Sequence, residues 1–466
     1  MTFVTALLET LCFSGIIYGW GSMSYILKDQ GYFSSKCNKP ENLHVAQSTT
    51  GSTDESTCKV QEVTLNLVFT ISSVISSALI IISGYILDKF GTRMVRLSNV
   101  VLYVTGWLVM ALTTWKQSWT VFISMILISI SGFSVVVSNI PVANFFPVHR
   151  ALVIAVINGA FDSSAMIFAL IKIAYDHGVN FYSILFFMAG CGAIMVVRFL
   201  FLMPKMNIPY NVPEDFQYGL QCCIKNEIEV SPDVTEVSRL LPGEANTPDL
   251  KSCILNVSFI LNILHVGILQ LRNQFFYGTV DSWLNQFHDT TSPSETSYYL
   301  NAFGIFQLCG ILVSPLGGLI TDFCIQRFSL NSTEQVATRR AVATYIGISS
   351  VLATLFSIVV LIPVLPLQYL SFFLQVTFRS SLYGGNASFL LTLFPGKHFG
   401  KLYGITILFA CIIAILQYPL FVIVTRIFDQ NFTVINIVLL AASAITIVHP
   451  IILFVRPLST KRATEE

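Results

Sequence analysis

Long apolar runs, separated by short polar or Pro/Gly-containing breaks, follow one another along almost the whole chain. A run of about 20 apolar residues is long enough for an α-helix to cross the hydrocarbon core of a bilayer. The pattern predicts two sets of six helices, with a long polar segment between them. The first set is predicted near residues 3–27, 65–87, 95–113, 119–141, 150–173 and 181–203, and the second near residues 253–278, 297–322, 341–363, 366–393, 401–426 and 433–455.

Composition points to the same class of protein. Of the 466 residues, 54% are hydrophobic and 11% are charged, whereas about 25% are charged in an ordinary soluble domain. Such a chain cannot cover a water-facing surface with polar groups, and its long runs lack the short alternation of a membrane β-barrel. A soluble enzyme and a fibre are therefore excluded, and the net charge of +1 gives no indication of nucleic-acid binding. We find no phosphate loop, metal-spaced His/Cys set or nucleophile motif, so we expect no enzyme, cofactor or metal site.

The placement of Lys and Arg predicts the orientation in the membrane. Sixteen of them fall in segments on one side and seven on the other, and basic residues collect on the cytoplasmic side. Both termini are therefore predicted to be cytoplasmic. The predicted organisation is an N-terminal six-helix bundle at residues 1–203 with an extracellular loop at 28–64, a cytoplasmic linker at 204–252, a C-terminal six-helix bundle at 253–456 and a cytoplasmic tail at 457–466.

Two of the ten cysteines, Cys37 and Cys58, lie in the predicted extracellular loop, whereas most of the others lie in apolar runs. Disulfides form and persist on the oxidising side of a membrane. We therefore predict a disulfide between Cys37 and Cys58.

A short sequence at the end of the second predicted span recurs at the end of the eighth. Gly84-Tyr-Ile-Leu-Asp88 and Gly318-Leu-Ile-Thr-Asp322 are separated by 234 residues at both anchors. Two repeated sets of six helices are typical of transporters whose halves rock around a central site. The repeat therefore predicts two pseudo-symmetric six-helix bundles.

The residues from Gly84 to Arg93 resemble the loop motif of the major facilitator superfamily, in which a Gly and an Asp precede two basic residues separated by a second Gly. We predict that Gly84 lets neighbouring helices approach closely, that Gly91 makes a tight turn, and that the charged residues form a cluster that gates the rocking motion. The alternative is a positive-inside stop signal. The predicted gating residues are Gly84, Asp88, Lys89, Gly91, Arg93, Gly318 and Asp322.

Four longer stretches resemble solute carrier family forty-three: NGAFDSS at residues 158–164, LPLQYL at 365–370, RSSLYGGNASFL at 379–390 and FPGKHFGKLYG at 394–404. The resemblance implies an all-α polytopic protein with the major facilitator fold of twelve transmembrane helices. It further implies facilitative, sodium-independent transport of purine nucleobases such as adenine, guanine and hypoxanthine across the plasma membrane. A carrier of large neutral amino acids is the alternative within the family, and a non-transporting receptor or scaffold is the alternative outside transport.

Charged groups are costly within the hydrocarbon region, so each one calls for a partner or a function. Arg198 and Arg272 lie toward the ends of their predicted spans and are expected to reach an interface. Glu9 lies near the inner end of span one, where it could pair with a neighbouring helix. Asp162 and Arg379 lie near the middle of their spans, which makes them the strongest candidates for contact with a solute.

The two central charges belong to polar stripes. Asn158 and Asp162 are four residues apart on one helix face, and Arg379, Tyr383 and Asn386 follow the i, i+4, i+7 spacing of another. The resemblance implies that spans one, four, seven and ten line the cavity, with span five more peripheral. The alternative is that Asp162 and Arg379 pair with each other and hold the helices together without touching a solute.

A planar purine needs hydrogen-bond partners for its edge and aromatic surface for its faces. Side-chain amides both donate and accept, and tyrosine rings supply flat surfaces. Asp162 is the only central carboxylate, and span four lacks the Arg that proton-coupled relatives often carry, so we expect uniport. Beyond the solute and membrane lipid no partner is expected, and the protein is predicted to be a monomer. The predicted substrate-binding residues are Tyr18, Asn158, Asp162, Gln270, Arg379, Tyr383 and Asn386.

Overall fold

The computed structural model describes residues 2–37, 58–146, 150–201, 203, 208, 249–286, 293–330, 332–395 and 398–455. Every regular element in these residues is a helix, which is the only open-chain structure that satisfies all its backbone hydrogen bonds inside a bilayer. The all-α fold is therefore as predicted. Most of the predicted linker at 204–252 and all of the predicted tail at 457–466 lie outside the described residues.

The described part of the N-terminal half contains eight α-helices. Its first predicted span is bent by 43° between α1 and α2, and a 3-10 turn, Ile16–Gly19, fills the bend. The bend lies against another helix so closely that a Cβ atom at Gly19 would be 2.1 Å from the carbonyl oxygen of Ala165. The helices are α1 Thr2–Phe13, α2 Trp20–Asp29, α3 Lys59–Leu112, α4 Thr120–Asn139, α5 Arg150–Ser163, α6 Met166–Asp176, α7 Phe181–Gly190 and α8 Gly192–Phe201.

Eleven α-helices are seen in the described residues of the C-terminal half, and several of them are consecutive pieces of one predicted span. One of these breaks lies at Pro315, which has no N–H to donate to the preceding turn. The helices are α9 Leu250–Ile254, α10 Val257–Asn285, α11 Pro293–Phe306, α12 Cys309–Val313, α13 Leu316–Ser329, α14 Glu334–Leu361, α15 Gln368–Leu393, α16 Phe399–Ala414, α17 Gln417–Arg426, α18 Thr433–Ile445 and α19 Val448–Val455.

The described residues contain fewer clearly apolar spans than the twelve that the sequence predicts. Within the described part of the chain, nine helical segments are long and apolar enough to cross a membrane, or ten if α1 and α2 form one bent span. Helices α10 and α15, with 29 and 26 residues, are long enough but carry many polar side chains, which lower their mean hydropathy. The twelve-helix count is therefore not confirmed and stays a prediction.

The two halves meet mainly along three lines. Helix α2 packs against α10, α5 and α6 pack against α12 and α11, and α3 packs against α16 and α17. In a repeat of six spans, span two (the first part of α3) corresponds to span eight (α11 and α12), and span five (α5 and α6) corresponds to span eleven (α16 and α17). A two-fold operation therefore exchanges the second contact with the third. This arrangement is that of two pseudo-symmetric bundles.

Large apolar side chains cover much of the outer surface. Phe187 is 70% exposed, Leu312 74% and Val455 71%. Extended apolar surface of this kind would be unfavourable in water and is covered when the helices lie in lipid. The protein is therefore a multi-pass membrane protein.

Candidate functional site

An ion pair joins the two halves at the centre of the protein. Arg379 of α15 places its Nε 3.0 Å from Oδ1 of Asp162, which belongs to α5. Both residues are buried, with 1% and 4% of their surface exposed. The pairing that the sequence left as an alternative is therefore present, and α5 is less peripheral than predicted because its carboxylate reaches the interface between the halves.

Three aromatic rings surround the Arg379 guanidinium. Its Cζ lies 3.9 Å from the ring centroid of Tyr18, 5.2 Å from that of Tyr277 and 5.7 Å from that of Phe161. A guanidinium over an aromatic face is attracted by the ring quadrupole. Tyr18 reaches this position from the 3-10 turn Ile16–Gly19, because the turn breaks the continuous helix that the sequence suggested.

A row of hydrogen bonds leads away from Arg379 into the C-terminal half. Arg379 Nη1 donates to Tyr277 Oη at 2.8 Å, and Tyr277 Oη donates to Gln307 Oε1 at 3.0 Å. Gln307 Nε2 donates to Gln375 Oε1 at 3.1 Å, and Gln375 Nε2 donates to Asn273 Oδ1 at 2.8 Å. We call Tyr277, Gln307, Gln375 and Asn273 the amide chain.

Sequence analysis missed the amide chain. A usable signal was available, since Asn273 lies four residues before Tyr277 and Gln375 four residues before Arg379, so each pair shares a helix face. Gln307 carries no such signal, because it lies between α11 and α12 and meets the others only through tertiary packing.

The remaining predicted substrate-binding residues lie nearby on the same helices. Tyr383 Oη donates to Gln270 Oε1 at 2.8 Å, so these two candidates contact each other across α15 and α10. Asn386 Oδ1 accepts from Asn262 Nδ2 at 2.7 Å. Asn158 is half-buried, one turn before Asp162. The structure thus places the candidates along the interior faces of α5, α10 and α15.

Gln274 is a further polar residue that sequence analysis missed. It lies one turn beyond Gln270 on α10, so both amides share a helix face. Its side chain is buried, and its Oε1 has no hydrogen-bond partner among the described residues. It therefore adds an acceptor to the interior face of α10.

Side chains fill the centre of the protein. Tyr18, Gln270 and Arg379 are only 1%, 5% and 1% exposed. The ring of Tyr18 lies directly over the guanidinium, and the amide of Gln270 is engaged by Tyr383. Tyr18 therefore covers one face of the Arg379 guanidinium in this structure.

A second buried ionic cluster lies wholly within the N-terminal half. Arg96 and Arg198 both donate to Oε2 of Glu9, and Asn139 Nδ2 donates to the same oxygen at 3.0 Å. The prediction that Glu9 pairs with a neighbouring helix is confirmed. The prediction that Arg198 extends to an interface is wrong, because the side chain is 5% exposed and turns inward to the carboxylate. We call Glu9, Arg96, Arg198 and Asn139 the Glu9 cluster.

Arg272 is also deeper than predicted. It is fully buried, its Nε donates to Ser357 Oγ at 2.8 Å, and its Cζ lies 4.4 Å from the ring centroid of Phe356. Distance along α10 suggested an interface, but the neighbouring α14 covers the side chain. The prediction for Arg272 is therefore wrong.

One end of the protein carries the predicted disulfide, Cys37–Cys58, which is present. At this end, which we call the disulfide end, Lys28 of α2 lies 2.6 Å from Asp281 of α10 and 3.3 Å from Glu62 of α3. Because α2 and α10 belong to different halves, the Lys28–Asp281 pair ties the halves together there, whereas Lys28–Glu62 lies within the N-terminal half.

The other end carries the predicted gating motif. Gly91 has φ 77°, a left-handed conformation that suits a glycine, so the predicted tight turn is present. No atom of the described residues lies within 4 Å of a Cβ built on Gly84 or Gly318, so the described part of the chain does not show the predicted close helix approach at Gly84. Among the described side chains of the motif, Lys89 and Asp322 are exposed and do not lie at a packed interface, so gating stays a prediction.

The charged members of the motif are exposed where the structure describes them. Lys89 is exposed and donates to Tyr85 on its own helix at 3.2 Å. Asp322 is exposed and Arg93 is half-buried, whereas the side chain of Asp88 lies outside the described residues.

A helical bundle with two repeated halves and a small buried polar centre is the architecture typical of membrane carriers. The sequence model of the Major Facilitator Superfamily matches residues 3–333, and the chain belongs to that superfamily. Its resemblance to solute carrier family forty-three is also confirmed by the relatives it matches.

Two curated relatives match over nearly the whole chain. The chain is 32% identical over 468 residues to Equilibrative nucleobase transporter 1 of Bos taurus, covering 96% of this chain and 94% of the relative. It is 29% identical over 495 residues to Large neutral amino acids transporter small subunit 3 of Homo sapiens, covering 90% of this chain and 86% of the relative. Both relatives are named as transporters, so this chain is a transporter homologue.

Solved structures show the same fold. A POT family transporter in complex with 5-aminolevulinic acid superposes with a TM-score of 0.61 at 13% identity, covering 97% of this chain and 95% of the other. A mutant of the nucleoside transporter NupG superposes with a TM-score of 0.58 at 13% identity, covering 97% of this chain and all of the other. At this identity the likeness concerns the fold alone.

Proposed function

We propose that this protein is a facilitative, sodium-independent transporter of purine nucleobases, such as adenine, guanine and hypoxanthine, that works by alternating access. The observation that carries the proposal is the Asp162–Arg379 pair, which lies between the halves inside a group of aromatic rings. The name of the Bos taurus relative, at 32% identity over 96% of this chain, supports nucleobases as the solute.

The residues around Arg379 suit an uncharged planar solute. Tyr18 and Tyr277 offer ring faces for stacking, and Arg379 can donate to a ring nitrogen or a carbonyl oxygen. Gln270 and Asn386 can each donate and accept at the edge of the base. The charge of Arg379 is already balanced by Asp162. The site therefore needs no negative charge from the solute, which fits a neutral base.

Transport requires the two halves to change their relation while the solute is bound. A solute favours one state only if it interacts differently with the two states. A base that takes the place of Tyr18 over Arg379 alters the contact that joins α15 to α5. The Arg379 side chain thereby links solute binding to the movement of one half against the other.

The membrane placement belongs to the same proposal. We place the protein in the plasma membrane with both termini in the cytoplasm, and the disulfide end outside. The Cys37–Cys58 disulfide supports this orientation, because disulfides persist on the oxidising side.

The test is uptake of labelled adenine in cells that express the wild type, Arg379→Ala or Gln270→Ala, normalised to protein at the cell surface. We expect saturable wild-type uptake that excess guanine or hypoxanthine competes for. Arg379→Ala should reduce uptake at least about tenfold, because a hydrogen bond to a charged group contributes about 1.5–3 kcal/mol. Arg340→Ala is a matched control, since Arg340 packs on Phe454 away from this site.

The uniport part of the proposal has its own test. Replacement of external sodium by choline should change adenine uptake little. A steep dependence on sodium or on the proton gradient would contradict uniport. Identical uptake by Arg379→Ala and wild type would contradict the role of Arg379 as a solute contact.

Uniport of large neutral amino acids is the second candidate. Arg379 and Asp162 lie 3.0 Å apart and could bind the carboxylate and the ammonium group of an amino acid, and the human relative is named for such solutes. Parallel uptake of labelled adenine and labelled leucine separates the two. Robust leucine uptake without adenine uptake would favour this candidate, and proteoliposomes with no saturable flux of either would favour a receptor or scaffold.

A further inference from the structure

We propose that Asn273, Gln307 and Gln375 are positioning residues that act through Tyr277 to hold Arg379 in the orientation that binds the solute. The inference rests on the proposed function of Arg379 as a solute contact. None of the three is assigned to the solute itself.

The direction of the hydrogen bonds in the amide chain follows from the chemistry of arginine. A guanidinium only donates, so Tyr277 Oη must accept from Arg379 and direct its single hydrogen toward Gln307. Gln307 must then present its oxygen to Tyr277 and its nitrogen to Gln375. Gln375 is oriented in the same way toward Asn273. Each amide therefore has one orientation that completes the row.

Because the amide chain is buried, the loss of one of its hydrogen bonds affects the orientation of the others. Asn273, Tyr277, Gln307 and Gln375 are all 1% exposed or less, so water cannot replace a lost partner. Buried polar groups that are satisfied rigidify their surroundings, and an unsatisfied one is costly. A defect at Gln375 therefore propagates to Tyr277, whose hydrogen then has no fixed acceptor and can turn toward Arg379.

All members of the amide chain belong to the C-terminal half, whereas Asp162 belongs to the N-terminal half. When the halves move apart, the contact with Asp162 changes, but the amide chain moves together with α15. It can therefore keep Arg379 oriented in states in which the Asp162 contact is weaker. This preorganisation lowers the ordering cost of solute binding.

The test is a double-mutant cycle on the KM for adenine, measured in proteoliposomes of the full-length protein. Gln375→Met removes both hydrogen bonds with little change in volume. We expect it to raise KM about tenfold while the maximal rate changes less than about twofold. In the Arg379→Lys background, where the guanidinium is absent, the same substitution should raise KM less than about twofold.

Gln368→Met is the matched control. Gln368 is a buried glutamine on the same helix, and its Nε2 donates to the carbonyl oxygens of Val359, Ile362 and Val364 at the turn before α15. Because its role is structural, we expect its loss to lower the melting temperature and leave KM unchanged. Adenine-induced shifts of the melting temperature give the affinity of any variant whose flux is too low to measure.

The outcomes separate the two proposals. Wild-type protein without adenine flux would overturn the proposed function, and the positioning role with it. Wild-type flux with an unchanged KM in Gln375→Met would overturn the positioning role alone. A full additional tenfold rise in the Arg379→Lys background would also overturn it, since Gln375 would then act independently of Arg379.

Discussion

The Glu9 cluster and the Asp162–Arg379 pair both place a carboxylate against guanidinium groups deep inside the protein, yet they differ in which half supplies the residues. All four members of the Glu9 cluster lie in the N-terminal half. Asp162 and Arg379 lie in different halves. A movement of one half against the other leaves the first cluster intact and changes the second.

The two sites also differ in how their charges are balanced. One Glu9 carboxylate serves two arginines, so its loss leaves two buried cations without a counter-charge. Arg379 has Asp162, a hydrogen bond to Tyr277 and the ring of Tyr18. The two sites are similar in burial and chemistry but differ in role. The Glu9 cluster holds the N-terminal bundle together, whereas the Asp162–Arg379 pair connects the two bundles.

The largest effect on stability is expected for Glu9→Gln. Removing one partner of a buried ionic group costs about 3–5 kcal/mol, because the other charge is left uncompensated. The folded yield in size-exclusion chromatography and the melting temperature should both fall sharply. Adding Arg198→Met should recover part of the loss, because it removes one unpaired charge, and normal folding of the single variant would contradict a structural role for the cluster.

Asp162→Asn should separate transport from folding. Arg379 keeps its bond to Tyr277 and its contact with Tyr18, so we expect a smaller fall in melting temperature than for Glu9→Gln. Adenine uptake per surface molecule should nevertheless fall at least about tenfold, since a buried charge loses its partner at the interface between halves. If the folded yield falls as far as in Glu9→Gln and uptake per molecule stays normal, the pair is structural and the comparison fails.

A smaller effect is expected at the disulfide end. Asp281→Asn removes one of the two carboxylates that bind Lys28, while Glu62 remains 3.3 Å away. We expect the rate of adenine uptake to change about two- to fivefold, because a contact that ties the halves together is weakened. Asp29→Asn serves as the control, since Asp29 lies beside Lys28 and accepts a hydrogen bond from Tyr175 within the same half. A larger effect of Asp29→Asn would count against a role across the halves.

The smallest effect is expected for Asp429→Asn. Asp429 forms an exposed ion pair with Lys59 at 2.5 Å, and the hydrogen bond and charge of Lys59 hold the pKa of the carboxyl group below its usual value. A lowered pKa stabilises the folded state above the usual carboxyl pKa, and this contribution is lost as the pH falls. Solvent and salt screen an exposed pair, so the melting temperature at neutral pH should not change measurably. A clear decrease would show that this pair matters more than its exposure allows.

Different parts of the site were accessible to sequence reasoning to different degrees. Asp162 and Arg379 could be found because a charge in the middle of an apolar run is conspicuous and costly. Asn273 and Gln375 were missed although each lies one turn from Tyr277 or Arg379, because an amide in a mixed helix resembles any half-buried polar residue. Gln307 was missed because it lies between two helices and meets the others only through tertiary packing. Arg198 and Arg272 were placed wrongly, because distance along a helix axis does not show which neighbour covers a side chain.

By itself, the order of residues determined the helical class, the repeated halves and the membrane location, since these depend on the length and spacing of apolar runs. It also predicted the Cys37–Cys58 disulfide, because both cysteines lie in one polar loop that the charge distribution places outside the cell. Only the tertiary structure decided that Tyr18 covers Arg379 and that the Arg379 guanidinium lies at the end of the amide chain. It also decided that the ion pairs of Glu9 lie within one bundle, whereas the ion pair of Asp162 lies between the two bundles. The physical reason is that bilayer insertion acts on each segment separately, whereas the partner of a buried polar group depends on how segments distant in the chain pack together.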